Sequence, residues 1–122
     1  MANITEQTDF VGTSVTAFSG SPTVRVWYTL IDHTCFVSFF LSGTSNSTAT
    51  TFTVPFTSLN VSNNQVKVAI AGTDNGSVLT ASSSAVLPAN SATVTCYVDM
   101  ATGAWTNSNT KAVEGQFWYE IA

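Results

Sequence analysis

Residues 23–43 read Thr-Val-Arg-Val-Trp-Tyr-Thr-Leu-Ile, then Asp-His-Thr, then Cys-Phe-Val-Ser-Phe-Phe-Leu-Ser-Gly, and this stretch decides the fold of the chain. Apolar and polar residues alternate along both arms, and a short polar turn separates them, so the pattern predicts a β-hairpin. One face of this hairpin is apolar throughout and should point into the core. It is formed by Val24, Val26, Tyr28, Leu30, Cys35, Val37, Phe39 and Leu41.

The opposite face of the hairpin carries Thr, Ser and Arg side chains, interrupted by Trp27, Phe36 and Phe40. A sheet face that meets water is polar at nearly every position. Large rings among polar neighbours therefore indicate a surface that something else covers. The cover is either a second layer of the same chain or a neighbouring subunit. We take the neighbouring subunit as the main hypothesis, with these three aromatic residues as the subunit contacts.

The composition is that of one folded domain with few charges. The 122 residues are 44% hydrophobic and only 8% charged, whereas roughly 25% of residues are charged in a typical soluble domain. Solubility must therefore come from Ser, Thr and Asn, which are abundant. Neutral, hydroxyl-rich surfaces of this kind are common in secreted and virion-surface β-proteins and unusual in cytosolic enzymes.

The few charges also argue against two classes of partner. The three basic residues, Arg25, Lys67 and Lys111, are too few to neutralise several phosphates together, so we expect no nucleic acid partner. A net charge of −4 disfavours anionic membranes. No apolar run approaches the ~20 residues of a membrane span. The first residues lack the basic start and apolar segment of a signal peptide.

Turn residues divide the remaining chain into short segments. About eight strands at a spacing of 8–12 residues, with no helical period, predict an all-β fold. We expect an antiparallel two-sheet β-sandwich, jelly-roll-like, over residues 10–122, preceded by an N-terminal arm at residues 1–9. The main predicted turns or loops are Ser19-Gly20-Ser21-Pro22, Asp74-Asn75-Gly76 and Ser82-Ser83-Ser84.

The sequence contains little that predicts catalysis or metal binding. His33 is the only histidine and lies in the hairpin turn, where we interpret it as a solvated turn residue. Asp32, Asp74 and Asp99 also fall at turns; they could share calcium only if their loops converge, and such residues more often bond their own turn backbone. No zinc-ligand spacing and no nucleophile elbow is present. We therefore predict no enzymatic activity, no catalytic residue, no cofactor and no metal.

The two cysteines, Cys35 and Cys96, fall at inward-facing strand positions. We interpret them as buried, reduced thiols that act as small apolar side chains. A disulfide would require the two strands to lie close together, which the sequence does not determine. The absence of a signal peptide favours the reduced state.

A second group of residues is a candidate contact for a partner protein or a glycan. Aromatic rings carry most of the contact energy in protein interfaces, and they also stack on sugar rings. The alternative is that loops of the same chain cover each ring. The group consists of Trp105, Trp118 and the loops near Asn46 and Asn75.

Five short motifs of turn and aromatic residues follow one another in the chain. In order, they are Thr44-Ser45-Asn46, Thr51-Phe52-Thr53-Val54-Pro55-Phe56, Thr73-Asp74-Asn75-Gly76, Gly103-Ala104-Trp105-Thr106 and Gly115-Gln116-Phe117-Trp118-Tyr119-Glu120. This pattern resembles the small β-sandwich modules of tailed-bacteriophage virion proteins, which occur at tail-fibre tips and as short free-standing surface proteins. The resemblance covers roughly residues 19–122.

The resemblance implies a non-enzymatic, usually trimeric module on the virion surface, assembled in the host cytoplasm. Because the chain starts at Met1 with a short arm in place of a fibre shaft, we expect a homotrimeric capsid decoration, or cement, protein. Its partner would be the major capsid protein or another virion protein, contacted through the arm at Ile4 and Phe10. The alternative is a tail-fibre tip module that binds a receptor or a host surface glycan.

Overall fold

The fold is all-β and antiparallel, as the sequence predicts. The computed structural model describes residues 4–63 and 65–121, and these contain ten strands and no helix. In chain order the strands are β1 (Thr8–Asp9), β2 (Val15–Thr16), β3 (Phe18–Ile31), β4 (Thr34–Ser45), β5 (Thr51–Thr53), β6 (Val66–Asp74), β7 (Ser77–Val78), β8 (Ser83–Leu87), β9 (Thr93–Tyr97) and β10 (Thr110–Glu120).

The strands form one curled sheet in the order β1-β3-β4-β10-β6-β8-β9-β5-β2, with β7 beside β6. Strand β6 joins the two halves of this path. Its residues 71–73 pair with β10, whereas its residues 66–70 pair with β8. The sheet therefore changes direction within a single strand and wraps around a shared core.

The predicted hairpin is formed by β3 and β4. Residues 23–31 of β3 pair in register with residues 34–42 of β4. Asp32 adopts a φ of 51°, a left-handed conformation that a tight turn requires. The predicted inner face is confirmed, because Val26, Cys35 and Leu41 are almost completely buried.

The core lies between the two halves of the strand order. The Phe39 ring of β4 packs on the Phe52 ring of β5, with ring centroids 4.6 Å apart. The Tyr119 hydroxyl of β10 donates a hydrogen bond of 2.9 Å to the Phe56 carbonyl. Strand β10 also places Val113 and Phe117 in the core. This packing holds β4 and β10 against the half of the sheet that contains β5.

The predicted turn at residues 19–22 is wrong. The chain continues through it as part of β3, and the pairing with β4 shifts between Ser19 and Thr23. Gly20 has a φ of 65°, and this left-handed conformation lets extra residues bulge out without ending the strand.

The predicted loop at Ser82-Ser83-Ser84 is also wrong in part, because β8 begins at Ser83 and is buried along its whole length. The Ser83 hydroxyl donates to the Val98 carbonyl at 3.0 Å, and the Ser84 hydroxyl donates to the Asp99 carbonyl at 2.8 Å. These bonds replace the water that polar side chains would otherwise need, so two serines are tolerated in the interior.

Candidate functional site

The outer side of β3, β4 and β10 carries a contiguous group of aromatic side chains. We call Trp27, Phe36, Phe40 and Trp118 the aromatic face. The ladder register aligns the outward residues of the three strands in rows. The rows are Thr29–Phe36–Trp118, Trp27–Ser38–Gln116 and Arg25–Phe40–Glu114.

The aromatic face is accessible in the single chain. Trp118 is 57% exposed and Phe36 is 43% exposed, while Trp27 and Phe40 are half-buried. Phe36 and Trp118 lie directly opposite each other on neighbouring strands, so their rings are adjacent. The structure thus places the three predicted subunit contacts on the same surface as Trp118, which the sequence analysis had assigned to the candidate partner or glycan contacts.

Two open depressions divide the aromatic face. One, of about 570 Å³, is lined by Trp27, Phe36 and Trp118 together with the polar side chains of Gln7, Ser38 and Gln116. The other, of about 460 Å³, lies beside Phe40 between Arg25 and Glu114. Trp27 and Ser38 border both depressions, so the Trp27 ring forms the ridge between them.

Charge on this surface comes from Glu120, which accepts a 2.9 Å hydrogen bond from the Thr34 hydroxyl at one end of β10, and from the row that contains Phe40. Arg25 and Glu114 are exposed on either side of that ring. The Arg25 guanidinium carbon lies 5.8 Å from the centroid of the Trp27 ring, a cation–π geometry that orients the guanidinium over the aromatic face.

Trp105 does not belong to an accessible site, and its assignment as a partner or glycan contact is wrong. Its side chain is only 2% exposed. The indole Nε1 donates to the Cys96 carbonyl at 2.8 Å, and the Trp105 backbone N–H donates to the Thr48 carbonyl at 3.1 Å. Gly72 leaves room for the ring, because a Cβ at that position would lie 3.1 Å from Trp105 Cη2.

Asn46 and Asn75 are exposed but lie far from Trp118. Trp118 pairs with Phe36 at one end of β4, whereas Thr110 pairs with Thr44 at the other end. Eight residues of extended strand separate Phe36 from Thr44, which is about 26 Å. Asn75 belongs to the Thr44 end, because the next residue donates from its backbone to the Thr110 carbonyl at 2.9 Å. The structure therefore places Asn46 and Asn75 at one end of the sheet, near the buried Trp105, and Trp118 at the other end.

The described part of the predicted N-terminal arm, residues 4–9, lies along β3. The backbone donates from Thr5 to the Leu30 carbonyl at 2.8 Å and from Phe10 to the Val26 carbonyl at 2.7 Å. The Phe10 ring packs edge-on against Tyr28, which leaves it half-buried. Ile4, by contrast, is 69% exposed. Residues 1–3 of the predicted arm fall outside the described residues.

The remaining reactive groups are isolated or buried. Cys35 and Cys96 are free and buried, which confirms their inward positions, and burial raises the pKa of the Cys96 thiol to about 12. His33 is exposed in the hairpin turn. Among residues 4–63 and 65–121, no three His, Cys, Asp or Glu side chains form a group that could hold a metal ion. The same residues include no helix long and apolar enough to cross a membrane.

Lys111 is a buried charged residue that the sequence analysis missed. Its side chain is fully buried at an inward position of β10. The Nζ donates to the Ala17 carbonyl at 2.8 Å and to the Ala49 carbonyl at 3.3 Å, and it lies 4.6 Å from the centroid of the Phe18 ring. Burial lowers the pKa of Lys111 to about 8, against the opposing effect of the Asp74 carboxylate. Lys111 thus fastens β10 to the start of β3 and to the loop before β5.

No protein-family model matches the chain, and a search of curated proteins also found no match. The aromatic face is therefore the feature from which a function is inferred.

Proposed function

We propose that this chain is a non-enzymatic structural protein that forms a homotrimer through its aromatic face. Four aromatic rings form one surface on the outer side of three central strands, and this observation carries the proposal. Rings of this kind supply most of the contact energy in protein interfaces. A second copy of the chain is the occupant that we propose for this surface.

The two most exposed rings offer apolar area that association would remove from water. Trp118 and Phe36 are 57% and 43% exposed, and a fully buried aromatic side chain removes roughly 150–250 Å² from water. Covering the two rings would bury about 200 Å² per copy, which corresponds to about 5 kcal/mol before the entropic costs of association. Trp27 and Phe40 would add to this total.

The rigidity of the underlying sheet also supports an interface. Eleven residue pairs join β4 to β10 beneath the rings. No buried side-chain nitrogen or oxygen in the described residues lacks a hydrogen-bond partner. A preorganised surface loses little conformational entropy on binding, so more of the contact energy remains as affinity.

We further interpret the curled sheet as a jelly-roll-like sandwich of two sheets that share β6. We also propose that the protein lies on a virion surface as a capsid decoration protein. The resemblance to phage surface modules and the neutral Ser-, Thr- and Asn-rich composition support this setting. Free cysteines agree with assembly in a reducing host cytoplasm. The major capsid protein or another virion protein would be the partner, with the exposed Ile4 as a contact.

The trimer is tested by measuring mass in solution for the wild type and for the variants Phe36→Ser and Trp118→Ser. Each substitution removes an exposed ring, so it should dissociate the assembly while leaving the folded chain intact. Val78→Ser is the matched control, because Val78 is 80% exposed on β7 and lies away from the aromatic face. A trimer that survives both ring substitutions would refute the proposed interface.

The capsid partner requires a separate test. Ile4→Asp is preferable to deletion of the arm, because residues 4–10 also pair with β3. Particles incubated with this variant should fail to retain it on sedimentation, whereas Val11→Asp, at a residue 87% exposed in the following turn, should bind. Equal retention of both variants would remove Ile4 from the capsid contact.

A glycan-binding tip is the second candidate, because one depression combines aromatic and amide side chains. Trp27 and Trp118 flank Ser38, Gln116 and Gln7 there, an arrangement suited to sugar stacking with flanking hydrogen bonds. A monomeric chain that binds oligosaccharides, and loses that binding in Trp118→Ala, would favour this function over the trimer.

A further inference from the structure

The row Arg25–Phe40–Glu114 carries opposite charges at its two ends. Arg25 pairs with Phe40 across β3 and β4, and Phe40 pairs with Glu114 across β4 and β10. Two inter-strand spacings separate the charged residues, about 10 Å between their Cα atoms. An aromatic ring thus lies between a cation and an anion on one exposed surface.

This charge arrangement is notable in a chain with only three basic residues. Lys111 points inward and is buried, so Arg25 is the only exposed cation in β3, β4 and β10, all of which are fully described. Neither Arg25 nor Glu114 forms an ion pair with another described residue. The cation–π contact with Trp27 holds the guanidinium on the aromatic face.

We propose that Arg25 of one copy pairs with Glu114 of the neighbouring copy and so fixes the register of the interface. This inference rests on the proposed self-association. In a three-fold ring each interface joins unlike edges of two copies, so the Arg25 edge of one meets the Glu114 edge of the next. The row is then complementary to itself, and Phe40 packs beside the ion pair.

The chemistry of the pair gives it a role in specificity more than in affinity. A guanidinium and a carboxylate form two parallel hydrogen bonds when they meet in plane. An interface that buried either charge alone would be disfavoured, because the unpaired ion loses its hydration. Wrong registers of the aromatic face, in which like charges meet, are therefore rejected.

Charge reversal tests the pairing directly. Arg25→Glu and Glu114→Arg should each raise the dissociation constant of the assembly by about tenfold or more, because like charges then meet at every interface. The double variant should recover an affinity close to that of the wild type. Lys67→Glu is the matched control, since Lys67 is an exposed cation on β6 that lies outside the row. Circular dichroism verifies that every variant is folded.

Mixing the two single variants reports the symmetry of the assembly. In an isologous dimer of one Arg25→Glu copy and one Glu114→Arg copy, both contacts would join opposite charges. Mixing would then restore the affinity of the dimer completely. A mixed trimer always keeps one contact between identical copies, so mixing should restore a three-fold assembly only in part. Partial recovery on mixing is the result that we expect.

The outcomes separate this inference from the proposed function. If the wild type is monomeric at all concentrations, both are wrong. A second outcome is that the wild type associates, Phe36→Ser dissociates it, and both charge reversals associate as strongly as the Lys67→Glu control. The aromatic interface would then stand, and the Arg25–Glu114 pair would be overturned. Failure of the double variant to recover would also overturn the pair.

Discussion

Replacing Lys111 by Met should change the stability of the protein in a way that depends on pH. The substitution keeps an unbranched apolar chain of similar length and removes only the buried ammonium group. That group donates hydrogen bonds of 2.8 Å and 3.3 Å to the carbonyls of Ala17 and Ala49. The variant therefore isolates the effect of a charge at the point where β10 is fastened to two other segments.

At neutral pH two opposing contributions to the stability of the variant partly cancel. Hydrogen bonds to charged groups contribute about 1.5–3 kcal/mol each, so losing two costs about 3–6 kcal/mol. Burial lowers the pKa of Lys111 from 10.5 to about 8, and this shift is equivalent to about 3 kcal/mol of unfavourable desolvation that the variant avoids. We expect Lys111→Met to be destabilised by about 0–3 kcal/mol at pH 7.

At alkaline pH the difference should grow. Between the folded pKa of about 8 and the unfolded value of 10.5, the unfolded chain binds more protons at Lys111 than the folded chain does. The free energy of unfolding of the wild type therefore rises with pH across this window. Relative to pH 7, proton linkage raises the free energy of unfolding of the wild type by about 1.4 kcal/mol at pH 9 and about 2.5 kcal/mol at pH 10. The variant lacks this contribution.

Urea denaturation at pH 7, 8, 9 and 10, in a reducing buffer and at fixed protein concentration, measures this difference. Other titrating groups contribute similarly to both proteins, so the subtraction largely removes them. Lys67→Met, at an exposed lysine, should instead follow the wild type at every pH. A difference between wild type and Lys111→Met that stays constant from pH 7 to pH 10 would refute the buried, proton-linked ammonium.

Three further substitutions or reactions test the packing of the core. Gly115→Ala should destabilise the protein by about 1–3 kcal/mol in urea denaturation, because the added Cβ would lie 2.7 Å from Ile70 Cγ2; unchanged stability would contradict this close approach. Trp105→Phe should cost about 1–3 kcal/mol in thermal or urea unfolding, since it removes the donor of the 2.8 Å bond to the Cys96 carbonyl, and a neutral result would show that water replaces the indole. Cys35 and Cys96 should react with a thiol reagent only at the rate of unfolding, because both are buried and burial raises both pKa values; rapid labelling of the native protein, followed by mass spectrometry, would contradict their placement in the core.

The local pattern of the sequence was sufficient to predict the hairpin and the direction of its side chains. Alternation has a period of two in a strand, so Val26 and Trp27 were assigned to opposite faces without knowledge of the partner strands. The same rule placed Phe117 inward and Trp118 outward in β10. These assignments depend only on neighbouring residues, and for that reason they hold in the structure.

The composition of the candidate site depended on register between distant strands, which alternation does not specify. Phe36 and Trp118 become neighbours only because β10 pairs with β4 along its whole length. Trp105 lies in a segment without regular secondary structure, so no period indicated that its ring is buried. Lys111 contradicts the usual exposure of lysine, and its burial is tolerated because two carbonyls and a ring surround the ammonium group.

Sedimentation equilibrium of the wild-type protein at micromolar concentration tests the central claim most directly. The homotrimer that we propose predicts a particle with three times the mass of the 12.9 kDa chain. A single species with the mass of one chain, folded and soluble with its outer rings open to solvent, would contradict the account.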